Sequence, residues 1–171
     1  MTISIVPAFE KHFEGLYLAL DIVAREKNYL VFLKAPPRNE AYAFFHSIAI
    51  NGYCQLVALD DDAVVGWCDV LPAHGEARSH VGTLGIGLMP AARHRGIGSM
   101  LMEATIAMAW TKGLKRIELT VRTDNHNAKT LYDRFGFVTE GLNRSALCVE
   151  GEFFDTWSMG LLHKALPLGC F

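Results

Sequence analysis

Two copies of a Gly-Ile-Gly triplet, at residues 85–87 and 96–98, constrain this chain more than any other feature. The first sits inside "VGTLGIGLM", residues 81–89, a run that otherwise reads as a strand up to Pro90. Glycine weakens a strand and marks a bulge or a close approach by another backbone or a ligand. The second sits in "ARHRGIGSM", where Arg93, His94 and Arg95 precede Gly96 and Gly98 and an apolar helical pattern follows directly. A strand, a glycine turn and a helix N-terminus in that order make an anion site, because free backbone N–H groups and the positive end of the helix dipole point at one place.

The rest of the chain supplies a frame for that turn. Residues 2–6 alternate as a strand that Pro7 stops. Phe9, Phe13, Leu16, Leu20, Val23 and Ala24 fall on one face of a helix over 8–26, and a second helix follows Pro36 and Pro37 with Asn39 as its cap. The strands 54–59 and 63–71 flank the acidic turn at 60–62 as a hairpin, and 74–80 is a surface loop. A buried helix over 97–112 ends at Gly113, a strand covers 116–121, and a shorter helix over 127–136 ends at Gly136. The segment 137–162 forms a closing hairpin that pivots near Glu150 and Gly151.

At 171 residues, with no linker, repeat or low-complexity tract, the chain is expected to form one domain over 1–171. Sixteen basic against eighteen acidic residues give a formal charge of -2, which argues against a nucleic-acid partner and makes any anion site local. The four cysteines, Cys54, Cys68, Cys148 and Cys170, contain no C-x-x-C pair and read as reduced thiols of a cytoplasmic protein. No run approaches the ~18 apolar residues of a membrane span, and no leader pattern opens the chain, so neither a membrane partner nor export is expected. None of the seven histidines stands with Cys or carboxylates at a zinc-like spacing, so no metal is expected.

The known phosphate loops can be compared with this turn. A Walker loop, G-x-x-x-x-G-K-[ST], is absent, and both triplets lack the third glycine of the dinucleotide fingerprint. What matches is R-x-x-G-x-G, as Arg93-His-Arg-Gly96-Ile-Gly98, which resembles the acyl-CoA pyrophosphate loop of the GNAT superfamily of N-acetyltransferases. "VRTDNHNAKTLYDRFGF" resembles the next strand and helix of that superfamily, with Asn125, Ala128, Leu131, Tyr132, Gly136 and Phe137 at its spacing. The match is carried by residues 80–140, whereas residues 1–79 agree only in element order.

The resemblance implies a mixed α/β (α+β) domain, its mostly antiparallel sheet splayed at the acyl-CoA site and flanked by helices. It also implies direct transfer of an acetyl group from acetyl-CoA to a primary amine. The backbone of Leu88 and Met89 would pair with the pantetheine arm, and a bulge near Gly85 to Gly87 would splay the strand. Backbone amides over Arg93, His94, Arg95, Gly96, Ile97 and Gly98 would hold the pyrophosphate, with Arg93 and Arg95 adding charge. Tyr132 would protonate the coenzyme A thiolate, and Asn125 would lie near the pantetheine arm. Direct transfer assigns no nucleophilic role to any cysteine, and a homodimer is common in the superfamily.

The general base moves among positions in such enzymes. His80, at the entrance of the glycine-bearing strand, is the first candidate, since an unperturbed pKa near ~6.5 suits proton uptake at neutral pH. Glu26, Asp69, Glu76 and Glu118 are alternatives. Acidic Glu26, Asp69, Glu76 and Asp155 favour a cationic acceptor, and a small-molecule amine is the leading class. A protein N-terminus or lysine is the second, and a non-catalytic acyl-CoA-binding module is the rival from outside catalysis.

Overall fold

A computed structural model describes residues 2–166 of the chain; Cys170 lies outside them. One seven-stranded sheet runs through these residues. In chain order the elements are β1 (Ile3–Pro7), α1 (Phe13–Arg25), α2 (Arg38–Ile50), β2 (Cys54–Asp60), β3 (Ala63–Pro72) and β4 (Val81–Leu88). Then come α3 (Ile97–Thr111), β5 (Arg116–Arg122), α4 (His126–Arg134), β6 (Val138–Val149) and β7 (Glu152–Leu162). The spatial order is β1-β2-β3-β4-β5-β7-β6, and every pairing is antiparallel except β4 with β5. The sequence reading of a mostly antiparallel sheet with helices on both faces agrees with this.

The sheet divides the core into two layers. Leu56, Ala58, Cys68, Val70 and Leu84 pack with Ile97, Leu101, Met102 and Ile106 of α3 on one face. Val57, Leu59 and Trp67 pack with Phe13, Leu16, Val23 and Phe45 of α1 and α2 on the other. With helices on both faces, β2 is buried almost end to end, which is why "CQLVAL" reads as a continuous run rather than an alternation. Asp61 and Asp62, at φ 46° and 72°, form the β2–β3 turn, and Glu150 and Gly151, at 52° and 87°, form the β6–β7 turn. Both are two-residue turns of the hairpin-compatible hand.

Three local expectations change. α1 starts at Phe13, not residue 8, because a 3-10 turn over Glu10–His12 leads in and leaves Phe9 exposed. α2 is capped by Pro37, whose carbonyl accepts from Glu40 and Ala41; Asn39 falls inside the first turn. The third concerns the expected bulge near Gly85 to Gly87. Pairing of β3 with β4 runs without a shift from Gly66↔Leu88 to Pro72↔Gly82; register shifts lie instead in β2 against β3, at Ala58 and Leu59, and in β6 against β7.

Gly85 and Gly87 instead make room for side chains of β3. A Cβ on Gly87 would stand 2.2 Å from the Trp67 ring, and one on Gly85 would stand 3.1 Å from an oxygen of Asp69. Trp67 is only 6% exposed and held between α1 and the sheet, so it cannot swing aside. Gly87→Ala is therefore expected to cost about 2 kcal/mol by overpacking. In thermal denaturation this reads as a Tm lowered by roughly 4–8 °C for a chain of this size.

Candidate active site

Parallel β4 and β5 pair only at Val81↔Arg116, Gly82↔Ile117 and Thr83↔Glu118. Beyond Thr83 the strands part, and the opening becomes a cavity of about 640 Å³. Ile86, Gly87 and Leu88 form one wall, Thr120, Val121 and Arg122 the other. The N-terminal ends of α3 and α4 border it on one face of the sheet, and Val23, Tyr29 and Leu30 reach it from the α1 side.

The glycine turn forms one rim of the cavity. His94 and Gly96 both take left-handed backbone conformations, at φ 59° and 78°, which folds the chain back so that Gly96 caps α3. A Cβ on Gly96 would meet nothing, so its requirement is conformational rather than steric. The amides of Ile97, Gly98 and Ser99 open the helix without helical acceptors, and Met100 is the first to bond back, to Gly96. Such an end is suited to an anionic group. Ile97 itself is fully buried in the core, so only its backbone serves the rim.

Both arginines of the turn are committed elsewhere. The Arg93 guanidinium grips both oxygens of the Glu26 carboxylate at the end of α1, and donates to the Leu88 carbonyl at 2.9 and 3.1 Å. Arg95 bonds Asp60 at 2.8 Å. The charge expected from them at the pyrophosphate is thus largely met by carboxylates, and the backbone carries the anion rim. Arg93→Ala would leave the Glu26 carboxylate and Leu88 carbonyl without this donor. It is expected to lower stability by about 1–3 kcal/mol, measured by denaturant titration.

Of the two residues expected to pair with the donor arm, Leu88 faces the opening and Met89 does not. The Met89 N–H bonds the Val65 carbonyl and its C=O accepts from Ala92, so Met89 has no group to offer. Antiparallel alternation then turns Gly85 and Gly87 toward β3 and leaves Ile86 and Leu88 facing the opening. With Leu88's carbonyl held by Arg93, Ile86 is the better-placed residue.

Leu88, Arg93, His94, Gly96, Gly98, Asn125 and Tyr132 line the cavity; Met89, Arg95, Ile97 and His80 do not. Asn125 caps α4 through its side-chain oxygen, which accepts from Ala128 at 3.2 Å. Tyr132, on α4, is 7% exposed and packs at 5.9 Å on Phe137, while no described residue bonds its hydroxyl. Burial drives its pKa upward, so the phenol keeps its proton. Burial likewise raises the thiols of Cys54 and Cys68, which keeps them protonated and unreactive. Exposed His80 precedes β4 at the closed end of the parallel pair, roughly 16 Å of strand from Gly85.

Sequence reasoning missed a second chamber of about 450 Å³ on the α1 side, between residues 26–28 and the tip of the β6–β7 hairpin. Lys27 and Glu150, 123 residues apart, form an ion pair across it. Arg122 belongs to both chambers. It is 8% exposed, lies 3.6 Å over the Phe154 ring and donates to Asp124 at 2.9 Å. The available signal was a basic residue ending the apolar strand "RIELTVR" on the same face as Glu118 and Thr120. Among the described residues, no group of three His, Cys, Asp or Glu side chains is placed to hold a metal ion, and no helix is long and apolar enough to cross a membrane.

A parallel strand pair that splits at a cavity, with a helix N-terminus at its mouth, is the arrangement that the resemblance to acyl-CoA transferases implies. Comparison with known proteins makes this specific. The Acetyltransferase (GNAT) family matches residues 19–137, and the chain belongs to it. The chain is 37% identical over 110 residues to the L-amino acid N-acetyltransferase AaaT of Escherichia coli, covering 63% of this chain and 67% of that one. A GNAT-family acetyltransferase of Streptococcus pneumoniae superposes with a TM-score of 0.87 at 28% identity, over 95% of this chain and 100% of that one. The fold is shared with yncA of Salmonella typhimurium, solved with its cofactor acetyl-CoA, at a TM-score of 0.90 and 16% identity over 99% and 100% of the two chains. The protein is an acetyl-CoA-dependent N-acetyltransferase.

Proposed function

We propose that the acceptor is a small primary amine, with amino acids and their derivatives as the first class to try. The observation that carries this reading is the second chamber: a compact space bounded by the Lys27–Glu150 pair, into which Arg122 presents a guanidinium. Asp124 holds the Nε and Nη2 sides of Arg122, so Nη1 is the donor left for the carboxylate of an amino-acid acceptor. The E. coli relative's name points to the same class.

In this reading acetyl-CoA lies in the opening between β4 and β5, its pyrophosphate on the turn from Arg93 to Gly98 and its arm along Ile86 and Leu88. The amine arrives from the α1 side. Its nitrogen attacks the thioester carbonyl, the C–N bond forms, the C–S bond breaks, and Tyr132 gives the departing thiolate a proton. Burial suits Tyr132 to that role by keeping it protonated until the sulfur leaves. Use of acetyl-CoA supports a cytoplasmic reaction.

The test is release of coenzyme A thiol from acetyl-CoA against a panel of amino acids, polyamines, amine-bearing antibiotics and peptides, with the acetylated product identified by mass. Turnover confined to small amines is expected. Turnover of peptides alone would replace this acceptor with a protein terminus or lysine, and donor binding with no turnover would favour a binding module.

A further inference from the structure

We infer that Asp69 is the general base that removes the proton from the acceptor amine. The inference rests on the transferase reading and comes from a row of three residues across three strands. Gln55 of β2 pairs with Asp69 of β3, and Asp69 pairs with Gly85 of β4. Because Gly85 has no side chain, the Asp69 carboxylate leans across β4, with one oxygen 3.1 Å from where a Cβ would stand. That places it beside Ile86, which lines the opening, on the α1 face of the sheet; the carboxylate stands one row behind the lining, so a water links it to the amine. The glycine that looked like a bulge in the sequence is a window for this carboxylate.

The competing carboxylates are engaged or remote. Glu26 is held by Arg93, and Glu118 is bonded by both Arg78 and Arg116. Glu76 sits on an exposed 3-10 turn, and Asp155 accepts from the Ser145 amide at 2.7 Å. Asp69 lies opposite Gln55, whose amide favours its charged form, and among the described residues no cation is paired with it. The titratable groups coupled to it are the thiols of Cys54 on β2 and Cys68 on β3, both kept protonated. α1 and α2 cover this face with Phe13, Leu16 and Phe45, and buried His12 turns its ring nitrogen to the Phe9 amide. Burial without a cation pushes the Asp69 carboxyl up to about 7, where a group exchanges protons readily at neutral pH.

The proton balance is simple. The incoming ammonium gives one proton to Asp69 through one water, and the neutral amine attacks. The second nitrogen proton restores Tyr132 through solvent after the phenol has protonated the thiolate, and Asp69 releases its proton to water. The sum is an amide, a free thiol and one proton.

The experiment compares wild type with Asp69→Asn, recording kcat/KM against pH with an accepted amine and acetyl-CoA binding by calorimetry. The wild-type profile is expected to rise through an apparent pKa of about 7. Asp69→Asn is expected to lose this limb and fall about 100- to 1,000-fold at pH 7, with donor affinity unchanged. The deficit should shrink for an acceptor whose amine is already neutral at pH 7. A variant within threefold of wild type that keeps the acidic limb overturns the assignment while leaving the transferase reading intact. A wild-type protein that releases no coenzyme A with any acceptor overturns both.

Discussion

Tyr132→Phe is expected to lower kcat about 100-fold, the low end of what a positioned proton donor contributes, while leaving acetyl-CoA affinity and Tm nearly unchanged. The substitution separates chemistry from packing because the two halves of this side chain do different things. The ring is buried and packs against Phe137, and phenylalanine preserves that contact. The hydroxyl has no partner among the described residues, and Tyr132 lines the cavity, so loss of the hydroxyl leaves no protein group unsatisfied. A fall of 100-fold corresponds to about 2.7 kcal/mol of transition-state stabilisation. Because burial raises the phenol's pKa, wild-type activity should show no alkaline loss from Tyr132 ionisation near its ordinary pKa of ~10. Unchanged kcat in the variant would mean that water protonates the thiolate.

The parts of the site written in contiguous residues were legible, because their causes are local. A left-handed Gly96 before an apolar helix fixes the turn and the helix start within a few residues, and the Tyr132 helix follows its strand at a fixed spacing. Other features depend on partners far along the chain. Arg93 and Arg95 look alike in sequence, yet each meets a carboxylate 67 or 35 residues away, which takes much of their charge from the rim. His80 stands beside the right strand at the wrong end, since the side of Thr83 on which β4 and β5 part is set by pairing. Met89 differs from Ile86 only in register, and register follows from β3. Gly85 and Gly87 signalled close approach correctly; that the approaching groups are Asp69 and Trp67 needed the cross-strand pairs.

Asp69→Asn is expected to make the folded protein more stable at neutral and alkaline pH, even as it removes the proposed base. The sign follows from the direction of the shift. Burial raises the folded-state pKa from 3.8 to about 7, so between those values the unfolded chain loses a proton that the folded protein still holds. Stability therefore falls as pH rises through this window, by at most about 1.4 kcal/mol per pH unit, and the loss is complete above pH 7. The full shift would amount to roughly 4 kcal/mol. Asp69 is half-buried rather than sealed, so about 2 kcal/mol is the better expectation. Asparagine keeps the shape, and Gln55 can turn its amide to offer an oxygen to the new NH2 group. The Tm of the variant should then exceed wild type by roughly 4–8 °C at pH 8, with the two converging toward pH 4. Parallel Tm curves across that range would show that the carboxyl titrates near its ordinary value, and a group already ionised well below pH 7 could not account for an acidic limb in the rate. The same desolvation that destabilises the fold would thus tune the base, so activity and stability should move in opposite directions at this one residue.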